Sequence, residues 1–190
     1  MLTLWDLLPR RKAPAPVAPA PAQAKPAPQA RPARAARPGG ARSTPAAERY
    51  ERLTRELLAL HAVRVRRWRS SMTGVAWEVR YETGEVSRLI EAPRPKGPMS
   101  AAIFLHEIGH HAIGFTRYKP RCLEEYHAWA WALDAMERYG VQVTDAVRRR
   151  MHASLHYAIA KAARRKLREL PPELVPFLSP PPRRPRRSRR

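Results

Sequence analysis

The sequence predicts an α+β fold that consists of an N-terminal helix, a three-stranded antiparallel sheet and three further helices. Apolar and polar residues alternate over much of residues 63–90, which is typical of strands with one buried face. Before and after this stretch, apolar residues recur every three or four positions, which is typical of amphipathic helices. Residues before about 46 and after about 178 show neither period. We therefore expect one folded domain over residues 46–178.

The first helix and the strands follow from these patterns. Residues 47–61 place four apolar side chains on one helical face: Tyr50, Leu53, Leu57 and Leu60. Strands are expected at about 63–68, 75–81 and 86–90, with turn residues between them and Thr83-Gly84 at the tip of the second turn. Strands joined by short turns pair in chain order, so we expect an antiparallel meander.

Three helices are expected after the prolines that end the sheet. Ser100 is a good N-cap for the first of them, which would end near Gly114. The second is predicted over residues 123–139 and the third over residues 144–168. The third has a buried stripe formed by Val147, Met151, Leu155, Ala158 and Ala162.

Both ends of the chain are expected to be disordered. Residues 9–45 are rich in Pro, Ala and Arg and contain no aromatic residue, so they cannot bury enough surface to offset the entropy of ordering. Residues 1–8 are apolar and could be a docking peptide for a protein partner, or a frayed terminus, with anchors at Leu4, Trp5 and Leu8. Residues 179–190 contain only Ser, Pro and Arg.

The formal net charge of +21 is shared by the tails and the domain. Such charge favours polyanions through counterion release without specifying a sequence, so non-specific contact with nucleic acid is one interpretation. Solubilising tails are the other. The arginines of the C-terminal tail that would contact nucleic acid are Arg183, Arg184, Arg186, Arg187, Arg189 and Arg190.

The composition also excludes several classes of protein. Cys122 is the single cysteine, so an intramolecular disulfide is impossible, which fits a reducing compartment. Residues 1–8 are too short for the apolar region of a signal peptide, and no run approaches the roughly 18 apolar residues of a membrane span. We therefore expect a cytoplasmic protein without a membrane segment.

Residues 106–110 read His-Glu-Ile-Gly-His and are the strongest functional signal in the chain. On a helix, His106 and His110 lie one turn apart on the same face, so that both imidazoles can bind one metal ion. Glu107 lies beside them, where a carboxylate can act as a general base. This pattern predicts a Zn²⁺-dependent peptidase.

A catalytic zinc site requires a third protein ligand, and the next helix offers Glu124, Glu125 and His127. Adjacent residues point about 100° apart on a helix, so only one of the two glutamates can face the metal. Ala128 and Ala132 continue the face of Glu125 with little bulk, which would let the two helices pack closely. We therefore favour Glu125, with Glu124 and His127 as alternatives.

His-Glu-x-Gly-His followed by Glu-x-x-Ala-x-x-aromatic-Ala resembles the ImmA/IrrE-type zinc metallopeptidases. The resemblance covers roughly residues 86–139 and implies a minimal zincin-like domain with Glu125 as the third ligand. It also implies an endopeptidase that cleaves a specific intracellular protein, such as a repressor of a phage or mobile element. Two alternatives remain: a SprT-like DNA-linked protease that uses His127, and a DNA-associated adaptor with a non-catalytic zincin scaffold.

Four further residues are candidates for supporting roles. His152 and His156 repeat the spacing of the motif histidines, and one of them or Tyr157 could hydrogen-bond the oxyanion. The alternative for these histidines is a polar flank beside the buried stripe. Asp134 could orient a ligand histidine. His111 points away from His110 and is expected at the surface or behind the ligands.

Overall fold

The computed structural model describes residues 44–181. Its elements follow the expected order, so the predicted α+β class is confirmed. The expectations for residues 1–8, for nearly all of the 9–45 linker and for the arginines of the basic tail lie outside the described residues. In chain order the elements are α1 (Pro45–Leu60), β1 (Val63–Arg69), β2 (Val75–Arg80), β3 (Val86–Pro93), α2 (Pro98–Ile113), α3 (Arg121–Arg138), α4 (Asp145–Arg164) and a 3₁₀ helix (Pro172–Phe177).

The sheet is mixed, and the predicted antiparallel meander is wrong. Its strand order is β1-β3-β2, in which β2 pairs antiparallel with β3 as expected, but β1 pairs with β3 in parallel. The physical reason is the burial of β3, where Ile90 and Ala92 are fully buried. A strand in that environment needs hydrogen-bonding partners on both edges. β1 carries four arginines in its seven residues, and such charged strands suit the edge of a sheet.

Helix α2 lies in the centre of the domain. Every residue from Ser100 to His111 is buried, because α2 packs against β3 on one side and against α3 and α4 on others. The helix begins three residues earlier than predicted, with Gly97 as its N-cap. Ser100 instead lies in the first turn, where its Oγ accepts hydrogen bonds from the backbone N–H groups of Lys96 and Gly97. The polar side chains of so buried a helix require partners.

Helices α2 and α3 cross at very small residues. A methyl group added to Gly109 would lie 2.7 Å from the carbonyl oxygen of Ala128, closer than real contacts allow. Ala128 and Ala132 are themselves fully buried. The close approach that the small residues of the second helix predicted is therefore present. It brings the first turn of α3 next to the histidines of α2.

Candidate metal centre

Three side chains from α2 and α3 converge on one point. One ligand atom from each of His106, His110 and Glu125 lies within 4.8 Å of the others. Oε2 of Glu125 lies 3.3 Å from Nε2 of His106 and 3.6 Å from Nε2 of His110. Two imidazole nitrogens and a carboxylate oxygen, all largely removed from solvent, form a group that could hold a metal ion.

The spacing of these atoms matches the size of a transition-metal site. Ligands bound to zinc at 2.0–2.2 Å in tetrahedral geometry lie roughly 3.3–3.5 Å apart. Both distances from Glu125 to the imidazoles come close to that separation. Of the other candidates for the third position, Glu124 points to the opposite side of His110, and His127 stacks on Tyr118 with ring centroids 3.8 Å apart. Neither belongs to the group.

The charges of the three groups are strongly coupled. Burial alone would raise the pKa of Glu125, but its contacts with His106 and His110 hold that pKa well below its usual range. Burial lowers the pKa of His110, yet its contacts with Glu124 and Glu125 outweigh burial and raise it to about 9. Burial also lowers the pKa of His106. A cation bound by these groups would replace the proton on His110. It would be held by the Glu125 carboxylate, which contacts both imidazoles.

Glu107 is buried beside the group, with 5% of its surface exposed. Burial raises its pKa to about 7, although the positive charge of His110 acts in the opposite direction. Its carboxylate lies against the backbone at Gly74, where an added methyl group would overlap it. Gly74 directly precedes β2, so the carboxylate lies next to the start of that strand. Sequence patterns gave Gly74 only as a turn residue.

The carboxylate that positions His110 is Glu124, whereas Asp134 was predicted to orient a ligand histidine. Glu124 is 1% exposed, and its Oε1 lies 3.2 Å from Nδ1 of His110. Its other oxygen accepts a hydrogen bond of 3.0 Å from the backbone N–H of Thr116. Asp134 lies on the solvent side of α3, 65% exposed, and pairs with Arg138 at 2.9 Å. The adjacent glutamates of α3 therefore contact different nitrogens of His110: Glu124 lies at Nδ1 and Glu125 lies at Nε2.

Aromatic rings fix the orientation of both imidazoles. Trp129 stacks on His106 with ring centroids 4.5 Å apart and planes inclined by 23°. Phe115 stacks nearly parallel to His110 at 6.0 Å. Trp129 is buried, as expected of a core residue, and this position lets it support a ligand candidate at the same time. Rings held in this way lose little freedom when they bind a metal ion.

The histidines of α4 have other partners. Nε2 of His152 lies 2.8 Å from the carbonyl oxygen of Ser179, and Nδ1 of His156 lies 3.1 Å from that of Phe177. Both therefore hold the C-terminal segment against α4, and neither belongs to the three-residue group. Tyr157 is 63% exposed and lines a cavity together with Glu125. Of the three residues predicted as oxyanion donors, Tyr157 alone shares a described cavity with a candidate ligand.

His111 supports the sheet and is not a surface residue. It is buried, and its Nε2 lies 3.1 Å from the carbonyl oxygen of Leu89 on β3. Burial lowers the pKa of His111 to about 4, so the ring is neutral at ordinary pH and can donate to that carbonyl. Cys122 is buried, and burial raises the pKa of its thiol.

Arg150 is a residue near the site that the sequence patterns did not distinguish. Its Nη2 donates a 3.1 Å hydrogen bond to the carbonyl oxygen of Met72, in the connection between β1 and β2. Its charge contributes to the lowered pKa of His106. Arg150 thus links α4 by a hydrogen bond to the connection between β1 and β2, which also contains Gly74. Within the run Arg148-Arg149-Arg150, no local signal separates it from its neighbours.

Comparison of the chain with protein-family models, with curated proteins and with solved structures gives no match. Over residues 44–181, no helix is both long enough and apolar enough to cross a membrane. The class of the protein is therefore defined by its fold and its site. It is a small α+β domain with a buried His-His-Glu group that could hold a metal ion.

Proposed function

We propose that this protein is a zinc-dependent metallo-endopeptidase of the ImmA/IrrE type. The observation that carries the proposal is the Glu125 carboxylate, which lies 3.3 and 3.6 Å from the two imidazoles of the motif. Two histidines and one glutamate are a known ligand set of catalytic zinc, which leaves a coordination position for water or substrate. Glu107 supplies the carboxylate that hydrolysis needs beside such a site.

In this proposal each side chain has a defined role. His106, His110 and Glu125 hold the ion, and bound zinc would polarise the scissile carbonyl and acidify water. Glu107 takes the proton of the attacking water on a carboxylate oxygen and passes it to the leaving amine. Burial raises the pKa of Glu107 to about 7 in the metal-free protein, and a cation bound beside it would favour the ionised form that a general base requires.

The sheet offers a place for an extended peptide. β2 is an edge strand of the described sheet, pairing with β3 on one side, and it begins next to the carboxylate of Glu107. An extended peptide can add to such an edge through main-chain hydrogen bonds. Its backbone would then run past the metal group, which favours a polypeptide substrate over a small molecule.

The substrate we propose is one specific intracellular protein, such as a regulator or repressor of a phage or mobile element. This part of the proposal rests on the resemblance of residues 106–110 and 125–132 to the ImmA/IrrE-type motifs. A trap would identify the protein: the Glu107→Gln variant, loaded with zinc, is incubated with proteins of the host, and bound polypeptides are recovered. A protein cut by the wild type and retained by the variant is the substrate.

Loss of the base should separate metal binding from hydrolysis. In the Glu107→Gln variant we expect zinc to bind normally and cleavage of a denatured general protein substrate to fall about 10²–10⁴-fold, because proton transfer by a positioned base contributes that much. Zinc content and cleavage rate are measured on the same preparation, with and without a chelator. Glu82→Gln, on the exposed turn between β2 and β3, is the matched control and should cleave normally. Full activity of the Glu107→Gln variant would refute the assigned base.

The net charge of +21 supports a second function, which can coexist with the first: contact with nucleic acid as a DNA-associated protein. Counterion release predicts affinity for DNA of any sequence that falls steeply with salt. Titration of labelled duplex at two salt concentrations measures this dependence. Deletion of residues 179–190 should weaken binding and flatten the salt dependence. Binding that changes neither with salt nor with the deletion would exclude this electrostatic contact with DNA.

A further inference from the structure

A cavity of about 530 Å³ opens beside the metal group, between the start of α3 and the second half of α4. Glu125 belongs both to the metal group and to the wall of this cavity, so the two adjoin at this residue. The volume is in the range of ordinary ligand pockets. The other lining residues are Pro120, Arg121, Cys122, Ser154, Tyr157, Ala158, Lys161, Ala162, Arg165 and Leu167.

The wall formed by α4 is one continuous helical face. Its lining positions run from Ser154 to Arg165 at intervals of three and four residues, with Ala158 and Ala162 keeping the face low between the longer side chains. Lys161 and Arg165 are exposed to solvent within this stripe. Their charged groups are therefore accessible to a ligand on that face of the helix.

Basic residues outnumber acidic ones along the wall of the cavity. Lys161, Arg165 and Arg121 line it, and Glu125 is the acidic residue among the lining residues. The two oxygens of Glu125 have different partners: Oε2 faces the imidazoles, and Oε1 lies 3.3 Å from Nε of Arg121. The negative charge of Glu125 is therefore engaged by the histidines and by Arg121. Lys161 and Arg165 remain to attract an anion.

We propose that this cavity is the specificity subsite of the peptidase and accepts an acidic side chain, Asp or Glu, of the substrate close to the scissile bond. This inference rests on the proposed function, because the metal group, which shares Glu125 with the cavity, defines the position of the bond. A carboxylate would meet the ammonium of Lys161 and the guanidinium of Arg165, while its methylene groups would pack on Ala158 and Ala162. The hydroxyl of Tyr157 offers a further donor on the same face.

Three amino-acid hydroxamates test the subsite without any need for turnover. The hydroxamate group binds zinc, and the attached side chain of glutamate, glutamine or lysine then probes the cavity. Dissociation constants are measured by calorimetry on the zinc-loaded protein. We expect the glutamate compound to bind about three- to tenfold more tightly than the glutamine compound, and the lysine compound to bind most weakly, since partly exposed ion pairs have modest strength.

Charge reversal should invert this order. In the Lys161→Glu/Arg165→Glu variant the lysine compound should bind best. The matched control is Arg164→Glu/Arg168→Glu, which changes the net charge equally at exposed residues that do not line the cavity and should keep the original order. Equal affinities of the three compounds in the wild type, or equal shifts in both double variants, would overturn the subsite. So would a zinc-loaded protein that binds no hydroxamate.

The same experiment separates the subsite from the proposed function. A protein that shows the charge preference but cleaves no denatured protein has the subsite and lacks the peptidase activity. A protein that cleaves but shows no charge preference is a peptidase whose specificity has another source. If no zinc binds to the purified protein, both proposals fall together.

Discussion

The chain contains two His-x-x-x-His pairs on helices, and they have different surroundings. His106 and His110 on α2 are buried and point their Nε2 atoms at the Glu125 carboxylate. His152 and His156 on α4 are partly exposed and contact backbone carbonyls near the C-terminal end of the described chain. The spacing is the same, and the partners differ.

The comparison shows that spacing alone does not create a metal site. An i, i+4 pair only directs two imidazoles toward one side of a helix. What lies on that side decides their role: α3 presents a carboxylate to the first pair, and the segment after α4 presents neutral carbonyl oxygens to the second. A neutral carbonyl needs only one N–H donor, whereas two imidazoles and a carboxylate can together hold a divalent cation.

Removal of one histidine from each pair should give the largest difference. We expect His110→Ala to weaken zinc binding by more than about 100-fold, because even the loss of an outer partner of a ligand costs about 10–100-fold. His156→Ala should change zinc affinity less than about twofold, since its ring contacts a carbonyl outside the metal group. Competition with a fluorescent zinc chelator measures both constants.

Comparable losses in the two variants would contradict the assignment of α2 as the metal helix. Circular dichroism of the metal-free proteins serves as the control for folding. It matters for His110→Ala because that side chain is 4% exposed, and its removal leaves the Glu124 carboxylate without its imidazole partner.

The next largest effect is expected at Glu124. This carboxylate contacts the ring nitrogen of His110 that faces away from the metal group. Its Oε1 lies 3.2 Å from Nδ1 of His110, whereas the ring nitrogens of the α4 histidines lie against backbone carbonyl oxygens. Glu124→Gln keeps the shape of the side chain but removes its charge, and we expect zinc affinity to fall about 10–100-fold. Asp134→Asn is the control and should leave affinity unchanged. A Glu124→Gln variant that binds zinc normally would show that His110 needs no carboxylate behind it.

Much of this site could be predicted from the chain, and the reasons are local. The His-Glu-x-x-His spacing and the small residues Ala128 and Ala132 are properties of single helices, so they identify the facing sides of α2 and α3 without knowledge of the fold. Glu125 was chosen on that basis, and the structure places it in the group. Helix boundaries were displaced by one to four residues, because caps such as Gly97 are weak signals.

The parts that could not be predicted depend on contacts between distant segments. The central position of β3 follows from its burial under α2, and strand periodicity encodes neither that position nor the parallel direction of β1. The roles of Gly74, Glu124 and Arg150 arise where separate elements meet. Asp134 was a candidate for orienting a ligand histidine, but nine residues after Glu125 it lies on the opposite face of α3, where it is exposed and pairs with Arg138.

The close crossing of α2 and α3, which brings Glu125 to the first histidine pair, can be tested at Gly109. Replacing glycine by alanine within a helix is ordinarily favourable by about 0.5–1 kcal/mol. Here the added methyl group would meet the Ala128 carbonyl, and overpacking typically costs about 1–3 kcal/mol, so the clash should outweigh helix propensity. We expect Gly109→Ala to lower the free energy of unfolding by about 1–2 kcal/mol and to weaken zinc binding, because Glu125 lies one turn from Ala128. Denaturant unfolding and zinc titration measure the two effects.

Gly97→Ala is the matched control for this substitution. Gly97 has an extended backbone with a φ of −170°, and a methyl group there meets nothing within 4 Å. Its zinc affinity should stay close to that of the wild type, and its unfolding free energy should fall by at most about 1 kcal/mol, because alanine is less favourable than glycine at an N-cap. A Gly109→Ala protein that is more stable than the wild type would mean that α2 and α3 are farther apart than the structure shows.

The smallest expected effect concerns the α4 pair itself. His152→Ala removes the contact of 2.8 Å with the Ser179 carbonyl, and a hydrogen bond of this kind contributes about 0.5–1.5 kcal/mol. We expect the free energy of unfolding to fall by about 1 kcal/mol or less, with zinc affinity unchanged, because the ring takes part in attaching the C-terminal segment and not in the metal group. A His152→Ala variant that loses zinc but keeps its stability would contradict this assignment. It would show that His152 binds the metal ion, the role proposed here for His106 and His110.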